Sequence, residues 1–462
     1  MTRLSCFSLL VGSLAACTGS AASPSRGASP ERAAMLARID SIVNAPIAAG
    51  KVAGASVAVV KGSDTLLMRG YGKADLELDV ATPPDAVYEI GSVTKQFTAT
   101  AIMQLVEQGK LSLDDDLSQY LPDYPARGNK IALRRLLDHT SGIKGYTEIP
   151  EFGSLRMQKL PRDTLVKIFS RYPFDFPPGE AEIYNNSAYF LAGLIIEKVS
   201  GMSYADYVQK NLFDKVGMTN SRYCSENAVV PRRAHGYDAA DSTGRLVRAA
   251  YLDHTWPYAA GSLCSTVGDL VKWNQALHGG RVLSPEAYAE LITPGTLNDG
   301  TTLRYAKGLA LVPQAGRRAI WHDGGINGFI SLNRYLPDES LSVVVLWNST
   351  GGDLDVGEAI IGAVLGDAPA GTASFDGALE DYVGTWSGRG RGRPMEVVLA
   401  ADSGRLTLKQ GREDPEPLTF VGDDTWQNGS TVLKFERTNG KPSRLRFDAG
   451  YLYVQLTRKA TS

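Results

Sequence analysis

A serine placed three residues before a lysine is enough to build a nucleophile and its base, because at helical spacing the two side chains share one face. The chain carries this pattern twice, at Ser92 to Lys95 and at Ser141 to Lys144. Context separates them. Ser141 sits in His139-Thr140-Ser141-Gly142-Ile143-Lys144-Gly145, where two glycines oppose a stable helix. Ser92 follows Gly91 and leads into an apolar run from Phe97 through Val106 that ends at Gly109-Lys110, so Ser92 and Lys95 are expected in the first turn of a buried helix. There Lys95 meets the positive end of the helix dipole and a desolvated cleft, and both disfavour its ammonium form. A lysine so depressed can take the serine proton at neutral pH. Read alone, Ser92 is equally an N-cap serine.

Two further constellations could join this pair. Tyr184-Asn185-Asn186 follows Pro177-Pro178-Gly179 and precedes an amphipathic helix through Glu197, so Tyr184 and Asn186 sit on a turn from which side chains can project into a cleft. A phenol can shuttle a proton if a neighbouring cation lowers its pKa, and an Asn amide can contact both a lysine and a substrate carbonyl. A plain turn with an Asn cap explains the same residues. The other is Trp321-His322-Asp323-Gly324-Gly325, whose glycines admit a substrate backbone along a sheet edge. His278-Gly279-Gly280 shares the His-x-Gly spacing, but its glycines follow a helix and read as a C-cap.

The elements that must position these residues can be read from periodicity. Order is expected from Glu31, where Met35, Ile39, Ile42 and Val43 recur at helical spacing. Strands follow at Gly54 to Val60 and Thr65 to Gly72, joined through Lys61-Gly62-Ser63-Asp64. The stretch from Leu111 to Lys215 reads as helices broken by Pro and Gly: Leu133 to His139, Asp163 to Phe169, Ala188 to Ser200 and Tyr204 to Leu212. Then come a helix from Val267 to His278, strands near Leu303 to Val312, Gly328 to Tyr335 and Leu341 to Trp347, and a helix from Leu354 to Leu365. Strand-rich ends around a helical middle predict an α/β (α+β) domain over 31–365, an antiparallel sheet flanked by helices with a mostly helical insertion and a cleft between them. Residues 366–376 read as a linker. Residues 377–462 alternate around Asp402-Ser403-Gly404, Asn428-Gly429 and Asn439-Gly440 and predict a small all-β barrel, with Trp386, Trp426, Phe435, Phe447, Tyr451 and Tyr453 as its apolar mass.

The three constellations in this order resemble the serine β-lactamase and penicillin-binding protein superfamily, in particular its class C β-lactamase-like branch of esterases, D-aminopeptidases and D-alanyl carboxypeptidases. Matching stretches also include Leu136-Leu137-Asp138-His139-Thr140-Ser141-Gly142, Ala260-Gly261-Ser262-Leu263 with Asp269-Leu270, and Gly328-Phe329. The resemblance implies Ser92 as the acylated nucleophile, Lys95 and Tyr184 as the proton-transfer pair, and Asn186 as a contact to lysine and substrate. It also implies substrate contacts at His322, Gly324 and Gly325, with an oxyanion hole from the backbone N–H groups of Ser92 and Gly325, each such donor contributing on the order of 3 kcal/mol. The chain departs from many relatives in having His322-Asp323-Gly324 where they have Lys-Thr-Gly. A histidine is mostly neutral at pH 7 where a lysine is cationic, and strand alternation points Asp323 away from the cleft. A weaker anion anchor favours short esters or amides, D-amino-acid peptides or acyl esters, over β-lactams. A sensor or peptidoglycan-binding protein acylated without turnover, and a β-lactamase, are the alternatives. The C-terminal domain resembles the lipocalin-like barrels of some relatives, resting on Tyr382-Val383-Gly384-Thr385-Trp386 and the hairpins; such a barrel either covers the cleft or mediates assembly, or is a stabilising module.

Length and composition bound the rest. With 462 residues, 43% hydrophobic, the chain can fill a large core and two domains. A formal net charge of -2 gives no electrostatic case for nucleic acid, so the expected partner is a small-molecule or short-peptide substrate. There is no Gly-x-Ser-x-Gly elbow for an α/β-hydrolase. The five histidines (His139, His235, His254, His278 and His322) lack close His-His spacing, so no metal and no cofactor is expected.

Arg3, the apolar stretch Leu9 to Ala16 and then Cys17 read as a targeting segment over 1–17. Leu14-Ala15-Ala16-Cys17 resembles a bacterial lipobox with Cys17 as the acylated first mature residue, a plain cleaved signal being the alternative. The expectation is an exported lipoprotein on the periplasmic side, anchored to the outer membrane by lipid alone, with 18–30 as a flexible tether. The two remaining cysteines, Cys224 and Cys264, are expected to pair in that oxidising setting, closing a loop worth about 4 kcal/mol; two buried thiols are the other possibility.

Overall fold

The computed structural model describes residues 29–239, 245–366 and 373–459. The targeting segment, with Cys17, and all of the tether but its last two residues lie outside them, as do residues 367–372 of the linker. Among the described residues no helix is long and apolar enough to cross a membrane.

The architecture is mixed α/β with antiparallel sheets. Six strands form the central sheet: β1 (Gly54–Lys61), β2 (Asp64–Asp75), β3 (Val80–Ala81), β4 (Ile320–Ile326), β5 (Phe329–Leu336) and β6 (Leu341–Trp347), in the order β4-β5-β6-β1-β2-β3. The first and last thirds of this domain meet where β1 pairs with β6, from Ala55 opposite Trp347 to Lys61 opposite Leu341. Every residue of β6 is buried because both faces are covered. Alternation divides them: Val57, Val59, Val343 and Val345 pack under α1 (Pro30–Ala48) and α4 (Val356–Leu365), while Ala58, Val60, Val344 and Leu346 face the helical middle.

At the centre of that helical side lies α2 (Thr94–Glu107), buried on nearly all faces and packed against α3 (Asn186–Ser200). Asn185 caps α3 by accepting the Ala188 N–H, and left-handed Gly201 ends it. The strand Leu263–Ser265 pairs with Tyr88–Glu89 on one side and Arg222–Tyr223 on the other. Across the second seam Cys224 and Cys264 form a disulfide, Cα atoms 5.2 Å apart. This small sheet therefore staples the segment that leads into Ser92.

The C-terminal nine strands form a nearly closed antiparallel barrel. The path begins at Glu416–Pro417 and ends at Thr419–Gly422, neighbours in sequence, which brings the sheet almost full circle. Hairpins turn at Ser403-Gly404 and Asn439-Gly440, where Asn439 and Gly440 both take positive φ, as a tight two-residue turn demands. Trp386, Trp426, Phe435 and Phe447 fill the barrel.

The structure corrects several expectations. Tyr451 and Tyr453 leave the barrel core: Tyr451 packs against the central-sheet cluster that lies under α1 and α4, and Tyr453 against Leu297 and Leu303. The strands expected near Leu303 to Val312 are a loop with isolated bridges at Tyr305 and Ala310. Gly308, at φ 74°, brings that loop onto α2, where an added Cβ would lie 2.7 Å from the Lys95 carbonyl oxygen. The helix expected over Tyr204 to Leu212 passes into a wide π turn at Gln209–Phe213.

Candidate active site

The residues that sequence chemistry singles out converge on one cleft of about 600 Å³, lined by Ser92, Tyr184, Asn186, His322, Gly324, Gly325, Thr147 and, from the barrel, Arg391, Tyr451 and Leu452. A second cavity, of about 560 Å³, lies on the domain seam between Glu180 and Arg444 and holds none of the candidate catalytic residues.

Ser92 stands in a short 3₁₀ turn, Gly91–Val93, that feeds α2, with no side-chain cap on that turn or on the helix. Its hydroxyl is thus free of the capping role that could have explained it. Edge strand β4 lies hard against this turn. A Cβ added to Gly324 would sit 2.0 Å from the Ile90 carbonyl oxygen, and one added to Gly91 would sit 3.0 Å from the Gly325 nitrogen. Glycine at both positions is what brings the Ser92 and Gly325 backbones together.

Lys95 is completely buried. Burial first, and then the Arg391 guanidinium, hold its pKa well below the ordinary ammonium range, with Glu148 opposing. Its Nζ lies 2.8 Å from Asn186 Oδ1, 2.8 Å from the Ala260 carbonyl oxygen and 3.0 Å from Ser92 Oγ. The first two atoms only accept. A neutral amine spends its two N–H bonds on them and leaves its lone pair for the Ser92 hydroxyl hydrogen.

The Tyr184 hydroxyl is buried and makes no hydrogen bond among the described residues. Burial raises its pKa well above the usual phenol value, although the Arg391 guanidinium pulls it down. The sequence expectation of a cation-lowered phenol is therefore reversed in direction: desolvation outweighs the cation, and Tyr184 rests as a neutral acid. Lys95 Nζ lies 4.7 Å and the Arg391 guanidinium carbon 5.1 Å from its ring centroid.

His322 is buried, and its pKa is pushed down to about 3 by burial first, aided by the Arg334 guanidinium. Its Nδ1–H donates to the Asp323 carbonyl oxygen and its Nε2 accepts from the Tyr305 hydroxyl at 3.0 Å. Both nitrogens are used internally, so His322 offers the cleft ring carbon rather than a free donor. Asp323 turns to Arg334 on β5 in a two-pronged ion pair.

Two features escaped sequence reasoning. The barrel loop Arg389-Gly390-Arg391-Gly392-Arg393 reaches the cleft mouth: Arg389 pairs with Glu180 at 2.7 Å, and Arg391 donates to Glu148 at 2.6 Å and to Thr147 Oγ1 at 3.1 Å. The alternation of arginine and glycine was the available signal. Tyr451 packs between Tyr184 and His322, at 5.7 and 5.4 Å between centroids, and its hydroxyl accepts the Asp323 N–H. A cation thus reaches the cleft mouth from the other domain, already paired there with Glu148.

The second Ser-x-x-Lys does not assemble, because left-handed Gly142 interrupts it and Lys144 pairs with Asp175 at 2.8 Å. Among the described residues, two clusters set a histidine beside two carboxylates: Asp75, Glu77 and His235, and Glu89, Glu226 and His254. In the second, Arg233 already lies 3.0 and 2.6 Å from the two glutamates, so the group is charge-balanced without an ion.

Residues 39–366 match the family model described as Beta-lactamase. The chain belongs to this family. It is 27% identical over 321 residues to Protein flp of Staphylococcus aureus (strain MRSA252), a match that takes in 67% of this chain and spans only 62% of that relative's length. It is 27% identical over 406 residues to a D-aminopeptidase of Gluconobacter oxydans (strain 621H), covering 87% of this chain and 75% of that one. In three dimensions it resembles a D-stereospecific amidohydrolase from Streptomyces sp., with a TM-score of 0.62 and 27% identity over 72% of this chain and 99% of that chain.

Proposed function

We propose that this β-lactamase-family chain is an exported serine hydrolase that cleaves short amides or esters of D-amino acids through an acyl-enzyme. The observation that carries the reading is the buried Lys95 amine, with two acceptor-only partners and Ser92 Oγ as its third neighbour.

In the first step the Lys95 lone pair takes the Ser92 proton while Oγ attacks the substrate carbonyl carbon. Charge developing on the carbonyl oxygen meets the backbone N–H groups of Ser92 and Gly325. Collapse of the tetrahedral adduct breaks the bond to the leaving amine or alkoxide, which takes a proton from Tyr184; the Lys95 proton then restores the phenol. Water attacks the acyl-enzyme by the same route reversed and releases the acid. Tyr184 suits the acid role because burial keeps it protonated, and Lys95 suits the base role because burial keeps it neutral.

At the cleft mouth Arg391 and Glu148 form an ion pair 2.6 Å apart, a cation and a carboxylate that can exchange each other for the two charged ends of a short zwitterionic peptide. The D-aminopeptidase and D-stereospecific amidohydrolase relatives support D-configured substrates. Export as a lipoprotein through Cys17 remains part of the proposal and rests on the lipobox-like Leu14-Ala15-Ala16-Cys17. Steady-state turnover of D-alanyl amides, D-Ala-D-Ala peptides, p-nitrophenyl esters and a chromogenic cephalosporin tests the reading. Turnover of amides or esters ahead of the cephalosporin is expected. A fast cephalosporinase, or a single burst without turnover, would overturn it in favour of a β-lactamase or a sensor respectively.

A further inference from the structure

The peptide that carries Tyr184 is gripped at three consecutive backbone positions. The Ile183 N–H donates to the His139 carbonyl oxygen at 3.1 Å, the Tyr184 N–H to the Tyr451 carbonyl oxygen at 3.2 Å, and the Asn185 N–H to His139 Nδ1 at 3.1 Å. One residue thus brackets Tyr184 from the helical side, using its backbone and its ring, and the barrel holds the middle from the other. The His139 ring also packs on the Tyr184 ring, centroids 4.3 Å apart.

His139 bears two local costs to do this. It sits at φ 61°, a left-handed conformation that glycine or asparagine adopts far more cheaply. Because Nδ1 accepts, the ring proton must be on Nε2, and that buried N–H has no partner among the described residues. Strained backbone and unsatisfied buried donors concentrate where function holds them in place.

We infer that His139 is a positioning residue for Tyr184, acting with the barrel's Tyr451 carbonyl, so that the aim of the phenol depends on the two domains being docked. This rests on Tyr184 acting as proton donor to the leaving group. The role has a signature that a purely structural one lacks. An amine leaving group needs the Tyr184 proton, whereas p-nitrophenolate departs without it, so misplacing the phenol must slow acylation by amides far more than acylation by p-nitrophenyl esters.

The test compares His139→Asn and His139→Gly in the full chain, with D-alanine p-nitroanilide and a p-nitrophenyl ester. Both substitutions tolerate positive φ and remove the ring, but only asparagine keeps an acceptor for the Asn185 N–H. The expected result is that H139G loses on the order of 30-fold in kcat/KM, which reads acylation alone, on the anilide and less than about threefold on the ester, while H139N recovers most of the anilide value. In a Tyr184→Phe background H139G should add nothing further. Equal losses on both substrates, no advantage of H139N over H139G, or additive losses with Tyr184→Phe would overturn the inference. If Tyr184→Phe alone cleaves the anilide at the native rate, the premise falls with it, and that outcome is read without touching His139. Should neither His139 variant fold by circular dichroism, Arg304→Ala, which removes the ion pair to Asp448 that ties the barrel down three residues before Tyr451, probes the barrel side: the same split between anilide and ester supports the inference, and an equal loss on both refutes it.

Discussion

Replacing Asn186 by aspartate would test the state of Lys95 with almost no change of shape. The amide oxygen now 2.8 Å from Nζ would become a carboxylate oxygen. At that distance two unit charges attract by about 6 kcal/mol at an effective dielectric constant of about 20. If about half of this is lost in desolvating the new carboxylate, about 3 kcal/mol remains to favour the ammonium, which is about 2 pKa units upward. The acid limb of the kcat/KM profile should therefore move up by about 2 units. On the acid side of both limbs activity should fall about 100-fold relative to the native enzyme, and between the two limbs the gap should close about tenfold per pH unit until the native rate is approached under alkaline conditions. Amide turnover measured from pH 5 to 10.5 reads both effects. Loss of a substrate contact alone would lower the rate at every pH without moving the limb. An N186D enzyme with the native profile, or with a uniform loss, would refute the neutral-lysine reasoning.

Three other outcomes follow from the same geometry. Arg391→Ala should raise KM about tenfold for peptides with a free carboxylate and leave KM for a neutral ester within about twofold, as steady-state kinetics will read; equal effects would remove Arg391 from substrate recognition. Gly324→Ala should abolish turnover in a chain that still folds, because its Cβ would sit 2.0 Å from the Ile90 carbonyl oxygen beside the nucleophile turn; native activity in that variant would mean the β4 edge is not part of the site. His254 is buried, and although burial lowers its pKa, Glu226 at 3.4 Å and Glu89 at 3.7 Å raise it to about 9. Raised from 6.5, it contributes about 3 kcal/mol that is fully present below pH 6.5 and lost as pH climbs through 9. The Tm gap between native and His254→Gln protein should accordingly be largest near pH 6 and narrow by pH 9.5; a gap that does not change with pH would contradict this.

The sequence is most legible where chemistry is local. Ser92 and Lys95 are one helical turn apart, and Tyr184 and Asn186 flank one helix start, so spacing alone suffices to group each pair. The central strands are equally plain, because a run such as Leu341 to Trp347 can only be buried on both faces. Legibility fails where the site is built by docking. Arg391 and Tyr451 reach the cleft across a domain seam, and no local pattern says which way a barrel loop or a strand end will turn. Tyr451, in an aromatic-rich strand pattern, reads as barrel core although the docked domains turn it into the cleft. The loop over Leu303 to Val312 reads as strand because its composition is apolar, yet it is held by Gly308 packing on α2 and by Tyr305 reaching His322. The phenol misleads in the same way: the neighbouring cation was foreseeable, but the depth of burial that reverses the net shift was not.

Peptide mapping by mass spectrometry after quenching the enzyme with a slowly deacylating D-alanyl ester bears most directly on the central claim. An acyl group on the peptide containing Ser92, absent from Ser92→Ala and accumulating more slowly in N186D at pH 7 than at pH 10, is the predicted result. An adduct on Ser141, or labelling that survives Ser92→Ala, would contradict it.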